Sequence, residues 1–160
     1  MKGNTRFKNF WIEQRCNHLA LKSYLDNDLV CKNDLHWLFI LTFPNGGSTA
    51  LAKLLLTAPN TIGIRHNAEG QWLIPSLCKA GVRWNSNHRV WKRKIRAVWM
   101  NRAIWLVKDR ENESKPTLVI EKSPPNLCRY QTILSAFESM ETYLITFSRD
   151  PYATCASWHR

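Results

Sequence analysis

"LFILTFPNGGSTALAKLLLTAP", residues 38–59, joins a continuous apolar run to a helical pattern through a Pro-Asn-Gly-Gly-Ser-Thr turn. The apolar run begins upstream, in "LHWLFILTF" (35–43), and Pro44 ends it. An unbroken apolar stretch of that kind reads as a strand buried on both faces, as in a parallel sheet. From Ser48 the apolar residues return at helical spacing, and Pro59 stops them. Adjacent glycines are costly in chain entropy. Gly46 and Gly47 permit positive φ and let backbone amides point into a concavity. The helix that follows adds unpaired amides and a partial positive charge, and together these bind phosphate or sulfate. Ser48 and Thr49 add hydroxyl donors. The alternative is an ordinary strand-to-helix turn. A Walker A loop is excluded, because no lysine precedes Ser48.

Outward from this turn, "TIGI" (61–64), "PTLVIEK" (116–122) and "ETYLITF" (141–147) read as further strands. Helical patterns lie between them: part of 66–81, residues 89–109, and "LCRYQTILSAF" (127–137). In 89–109, Trp91, Ile95, Val98, Trp105 and Leu106 fall near one face, with most Lys and Arg elsewhere. A last helix starts at Pro151, where proline is well tolerated. The order is β-α-β-α-α-β-α-β-α. Such alternation implies crossover connections and a mostly parallel sheet covered on both faces. The expected fold class is α/β, a three-layer α/β/α domain over residues 35–160, preceded by an N-terminal helical extension at 1–34.

The bulk numbers are consistent with one domain. The chain has 160 residues, enough for a single core. Its net charge of +11 attracts anions: nucleic acid, a membrane surface, or phosphorylated and sulfated ligands. No run approaches the roughly 18 apolar residues of a membrane span. The N-terminus has positive charge but no apolar region after it, so it does not read as a signal peptide. The expected location is the cytoplasm. Cys16, Cys31, Cys78, Cys128 and Cys155 lie far apart with no Cys-x-x-Cys pair. They read as free, mostly buried thiols in a reducing compartment rather than as disulfides or zinc ligands.

In parallel sheets, ligands bind beyond the carboxyl ends of the strands. Besides the glycine turn, two loops at strand ends carry polar chemistry. In "FSRDPYATCASW" (147–158), Arg149 offers a planar fork of donors suited to an oxyanion, and Ser157 follows eight residues on. Asp150 fits the N-cap of the helix that begins at Pro151. In "EKSPPN" (121–126), Lys122 and Ser123 leave a strand, and Pro124 and Pro125 stiffen the loop. Each also has a bland reading, a surface ion pair in one case and a solvated lysine in the other.

Taken together, these loops resemble those of P-loop-like sulfotransferases that use 3′-phosphoadenosine 5′-phosphosulfate. "PNGGSTAL" aligns with the family's Pro-Lys/Arg-Ser-Gly-Thr-Thr loop, which cradles the donor's 5′-phosphosulfate. That implies donor binding by Asn45, Gly46, Gly47, Ser48 and Thr49. "RDPYATCAS" matches the Arg-Asp-Pro segment that holds the 3′-phosphate, which implies that role for Arg149 and Ser157. "EKSPPN" looks like the Glu-Lys-Ser/Thr-Pro of carbohydrate and tyrosylprotein members, which implies that Lys122 supports the sulfuryl group. The resemblance further implies a base, and Glu69 in "RHNAEGQW" stands in the matching place, with His66 as runner-up. A positioned carboxylate suits the task, because a hydroxyl is a poor nucleophile at neutral pH. The implied fold is that of the P-loop-containing nucleoside triphosphate hydrolases. The implied reaction is sulfuryl transfer to a hydroxyl on a glycan, a protein tyrosine or a small molecule, without a metal.

Two departures from the family stand out. Asn45 occupies the place of a Lys or Arg, and a neutral donor binds an oxyanion about half as strongly. By analogy with a lost oxyanion donor, transfer slows by roughly ten- to a thousandfold. Family members also run about a hundred residues further, so the domain is expected to be C-terminally truncated. A rival reading is a nucleic-acid-binding protein or an inactive remnant. Residues 83–110 hold nine Lys/Arg interleaved with Trp84, Trp91, Trp99 and Trp105, a pattern suited to phosphate contact and base stacking. The bland alternative is an amphipathic helix whose tryptophans pack on the sheet.

Overall fold

The computed structural model describes residues 35–74, 77, 83–85, 92–108 and 117–158. The elements are β1 (His36–Leu41), α1 (Ser48–Leu55), β2 (Thr61–Gly63), α2 (Lys92–Lys108), β3 (Leu118–Glu121), α3 (Tyr130–Ala136), β4 (Thr142–Thr146) and α4 (Pro151–Trp158). The four strands form one sheet in the order β2-β3-β1-β4, and every pairing is parallel. The α/β class and the parallel sheet agree with the sequence reading. Residues 1–34, with their expected helices, lie outside the described residues.

Register places the functional loops. Phe39 of β1 stands opposite Glu121, the last residue of β3. Leu41, the last residue of β1, stands opposite Thr146, the last of β4. Parallel strands end on the same side, so the loops after β3, β1 and β4 emerge next to one another along one rim.

The apolar run of β1 feeds both faces of the sheet. Trp37 and Phe39 point into a cluster with Ile62, Val119, Trp99 of α2 and Phe137 at the end of α3. Leu38 and Ile40 point the other way, toward Ala52 of α1 and Ile120. This is the two-sided burial that a continuous apolar strand demands. The first cluster is aromatic: ring centroids lie 4.5 Å apart for Trp37–Phe137, 5.4 Å for Phe39–Phe137 and 6.4 Å for Trp37–Trp99. Such pairs contribute about 0.5–1.5 kcal/mol each beyond area burial.

Several expectations need correction. In α2 the buried stripe is Ile95, Trp99, Met100 and Ala103, while Trp105 is 53% exposed. Residues 95, 99 and 103 follow each other at i, i+4, and Trp105 stands two positions off that line, on another face. The Arg102 guanidinium covers it instead, 4.4 Å from the ring centroid. Residues His66–Ala68 and Gly70–Leu73 form short 3₁₀ turns, broken by left-handed backbone at Asn67 and Ala68 (φ 56° and 57°). Among the described residues, the sheet is not covered everywhere: on the edge strand β4, Tyr143 and Leu144 are exposed. Cys128 and Cys155 are exposed rather than buried, and the other cysteines lie outside the described residues. Among the described residues, no helix is long and apolar enough to cross a membrane.

Because Phe39 sits at the centre of the aromatic cluster, Phe39→Ala should lower unfolding free energy by about 3–5 kcal/mol in urea titration. Leu144→Ala on the exposed edge should stay within about 0.5 kcal/mol of wild type.

Candidate functional site

The glycine turn uses its glycines for two different reasons. Gly47 has φ 100°, a conformation that side-chain-bearing residues avoid, and it precedes α1 as its N-cap. Gly46 is required by space: a Cβ there would run into the Thr42 hydroxyl and stand 2.9 Å from the Phe43 carbonyl oxygen. Its amide donates to that carbonyl across 3.0 Å, closing the turn. Asn45 is also left-handed (φ 60°), which asparagine tolerates better than most residues. Among the described residues, no side chain caps α1, so its first amides, which have no carbonyl within the helix to bind, are left to other partners. Gly47, Ser48 and Thr49 line a cleft of about 630 Å³, within the roughly 300–1,000 Å³ of small-molecule sites.

Lys122 turns inward beneath this loop. Its side chain is 2% exposed, and its ammonium group donates to Glu69 Oε1 at 2.6 Å and to Thr49 Oγ1 at 3.0 Å. Glu69 also accepts from Trp72 Nε1 at 2.6 Å and from Gln71 Nε2 at 3.3 Å. Burial pushes the Glu69 carboxyl upward, but these hydrogen bonds and the Lys122 charge outweigh it and hold it below the usual carboxylate range. Glu69 is therefore ionised at neutral pH. The pair touches the cleft, which both residues line.

A second carboxylate, Glu121, positions the first. Glu121 is fully buried and accepts from the Gly70 amide at 3.0 Å, the Ser123 amide at 3.2 Å, the Ser123 hydroxyl and the Asn126 side-chain amide. The Ser123 hydroxyl oxygen in turn accepts from the Gln71 amide at 3.1 Å. The Lys122 amide donates to the Ala68 carbonyl at 2.7 Å, and Trp99 Nε1 donates to the Gly70 carbonyl at 3.0 Å. The loop carrying Glu69 is thus fastened on both sides to the exit of β3. Gly70 has no room for a side chain, since a Cβ would meet Ile64 and come 2.9 Å from the Trp99 ring.

On the far side of the turn, Arg149 and Ser157 meet. Arg149 Nη1 lies 3.4 Å from Ser157 Oγ, and both line the cleft. Asp150 caps α4, its Oδ1 accepting from the Ala153 amide at 2.9 Å. Asn45, Gly47, Ser48, Thr49, Glu69, Lys122, Arg149 and Ser157 all border this one cleft, whereas Gly46 is buried beneath the turn and His66, the alternative base, is exposed and does not line it. Sequence reading missed Lys53, Arg83 and Glu121. Lys53 and Arg83 also line the cleft, so four cations face the single carboxylate of Glu69 there. Such an excess favours an anionic ligand. Among the described residues, no group of three or more His, Cys, Asp or Glu stands close enough to hold a metal ion. No family model, curated protein or solved structure matches the chain.

Complete burial raises the Glu121 carboxyl to about 7, against the pull of the hydrogen bonds from Ser123 and Gly70 and of the Lys122 charge. Between its ordinary value and about pH 7, the folded chain holds a proton there that the unfolded chain has released. Stability from this group is full at low pH and is lost as pH rises through about 7. In Glu121→Gln, the fall of the denaturation midpoint between about pH 5 and 7 should therefore be shallower than in wild type.

Proposed function

We propose that the protein is a sulfotransferase of P-loop-like, three-layer fold that moves a sulfuryl group from 3′-phosphoadenosine 5′-phosphosulfate to a hydroxyl. The observation that carries this reading is the meeting of three strand exits at one cationic cleft: the glycine turn after β1, Lys122 after β3, and Arg149 with Ser157 after β4. The turn follows a central strand with neighbours on both sides, where open parallel sheets bind ligands. The residues present fit a doubly anionic nucleotide: an uncapped helix start, a turn too tight for a side chain at Gly46, and arginine and lysine on either flank.

When bound, the donor supplies an activated sulfuryl group whose departure leaves adenosine 3′,5′-bisphosphate. The amides of Gly47, Ser48 and Thr49 hold the 5′ anion, and Asn45 adds a neutral donor. Arg149, with Ser157 beside it, holds the 3′-phosphate. Glu69 takes the proton of the acceptor hydroxyl as its oxygen bonds to sulfur. Lys122, between Glu69 and Thr49, keeps the base ionised and brings positive charge to the place where the sulfur–oxygen bond breaks.

Adenosine 3′,5′-bisphosphate should raise the thermal midpoint in a concentration-dependent way, and Arg149→Ala should abolish that rise. Steep, salt-dependent binding of single-stranded oligonucleotides that survives Arg149→Ala would point to nucleic acid instead. Restoring the missing charge should also help. Asn45→Lys should speed transfer by roughly tenfold or more, at a stability cost of about 1–2 kcal/mol for the left-handed backbone, read from initial rates and thermal melts.

A further inference from the structure

We infer that Arg83 is the anchor for an anionic group on the acceptor, which makes the acceptor a hydroxyl compound bearing a carboxylate, sulfate or phosphate. This assignment rests on the sulfotransferase reading of the cleft. Arg83 lines that cleft together with Glu69 and Lys122. Its guanidinium carbon lies 5.1 Å from the Trp72 ring centroid and 5.6 Å from that of Trp84. Stacking of this kind restricts an arginine without neutralising it. Trp72 also donates its indole N–H to Glu69 at 2.6 Å. One indole therefore supports both the base and the arginine, and it fixes their spacing. The Arg83 carbonyl accepts from the Arg129 guanidinium, which anchors the backbone as well.

Among the described residues, no carboxylate pairs with Arg83, and its Nε is buried without a hydrogen-bond partner. A restrained guanidinium left without an anion is suited to bidentate recognition of one. The strand order separates it from the donor's 3′ end. Trp72 and Glu69 follow β2, whereas Arg149 and Ser157 follow β4 at the opposite edge of the sheet, with the glycine turn between them. Arg83 thus stands on the base side of the cleft, where the acceptor arrives.

The test compares 4-nitrophenyl β-glucuronide with 4-nitrophenyl β-glucoside, which carries a hydroxymethyl group in place of the carboxylate. Each is titrated into the full chain saturated with adenosine 3′,5′-bisphosphate, in wild type, Arg83→Gln and Arg83→Lys. Wild type should bind the glucuronide roughly tenfold or more tighter, the margin of a charged hydrogen bond. Arg83→Gln should erase the preference and Arg83→Lys should recover part of it. The Kd for the bisphosphate should stay within about twofold throughout, because Arg83 lies away from the donor. Equal binding of the two glycosides by wild type, or a preference that survives in Arg83→Gln, overturns the assignment. So does loss of bisphosphate binding in Arg83→Gln, which would move Arg83 to the donor. Should Arg83→Gln fail to fold, the wild-type comparison and Arg83→Lys still decide. If wild type binds the glucuronide through Arg83 but never the bisphosphate, the anion site stands and the sulfotransferase reading falls.

Discussion

The site depends on a carboxylate that does not border it. Glu121 ends β3 with no solvent contact and gathers donors from its own exit loop and from the loop after β2. A buried carboxylate is costly unless its lone pairs are filled, and here the filling is done by Gly70, Ser123 and Asn126. That requirement joins two loops separated by fifty residues of chain. It holds Glu69 against Lys122, and through Lys122 against Thr49 of the glycine turn. The geometry of Glu69, Lys122 and the glycine turn is one connected object.

Within that object, charge is distributed unevenly. Glu69 and Lys122 satisfy each other, whereas Lys53, Arg83 and Arg149 border the same cleft with no carboxylate paired to them among the described residues. Separating a buried ion pair costs several kcal/mol. A ligand that draws Lys122 toward itself must therefore repay Glu69 with a proton or a hydrogen bond. A ligand hydroxyl can do so, because it carries the proton that the carboxylate would otherwise lack. Under the proposed function, anion binding and acceptor binding would in this way be coupled through one lysine.

Much of this was legible in the sequence. The unbroken apolar run of residues 35–43 announced a strand buried on both faces, and the two core clusters on either side of β1 are its physical expression. Strand–helix alternation then brought the loops to one rim, and the Asp150 cap followed from the Asp-Pro start of α4. What escaped was tertiary. The role of Glu121 depends on a parallel neighbour that its own segment does not name. Arg83 could not be told from eight other basic residues in 83–110, because its distinction is a pair of tryptophans brought together by folding. Trp105 was misplaced for a simpler reason: the stripe on α2 runs through 95, 99 and 103, and a tryptophan two positions off it faces away however apolar it is. The left-handed backbone of Asn45 was likewise not read from the sequence, where Asn45 stood out only as a missing charge.

The edge position of β4 has a consequence for how the two flanks of the cleft behave. The Glu69 flank is locked by buried hydrogen bonds and sits over the aromatic cluster. The opposite flank hangs from a strand that, among the described residues, is paired on one side, with Tyr143, Leu144 and Tyr152 exposed. Segments with few buried contacts open at lower free energy than the core that carries them. The cleft is accordingly a fixed jaw and a compliant one. Breathing of the Arg149 arm opens the cleft on that side while the Glu69–Lys122 pair stays assembled.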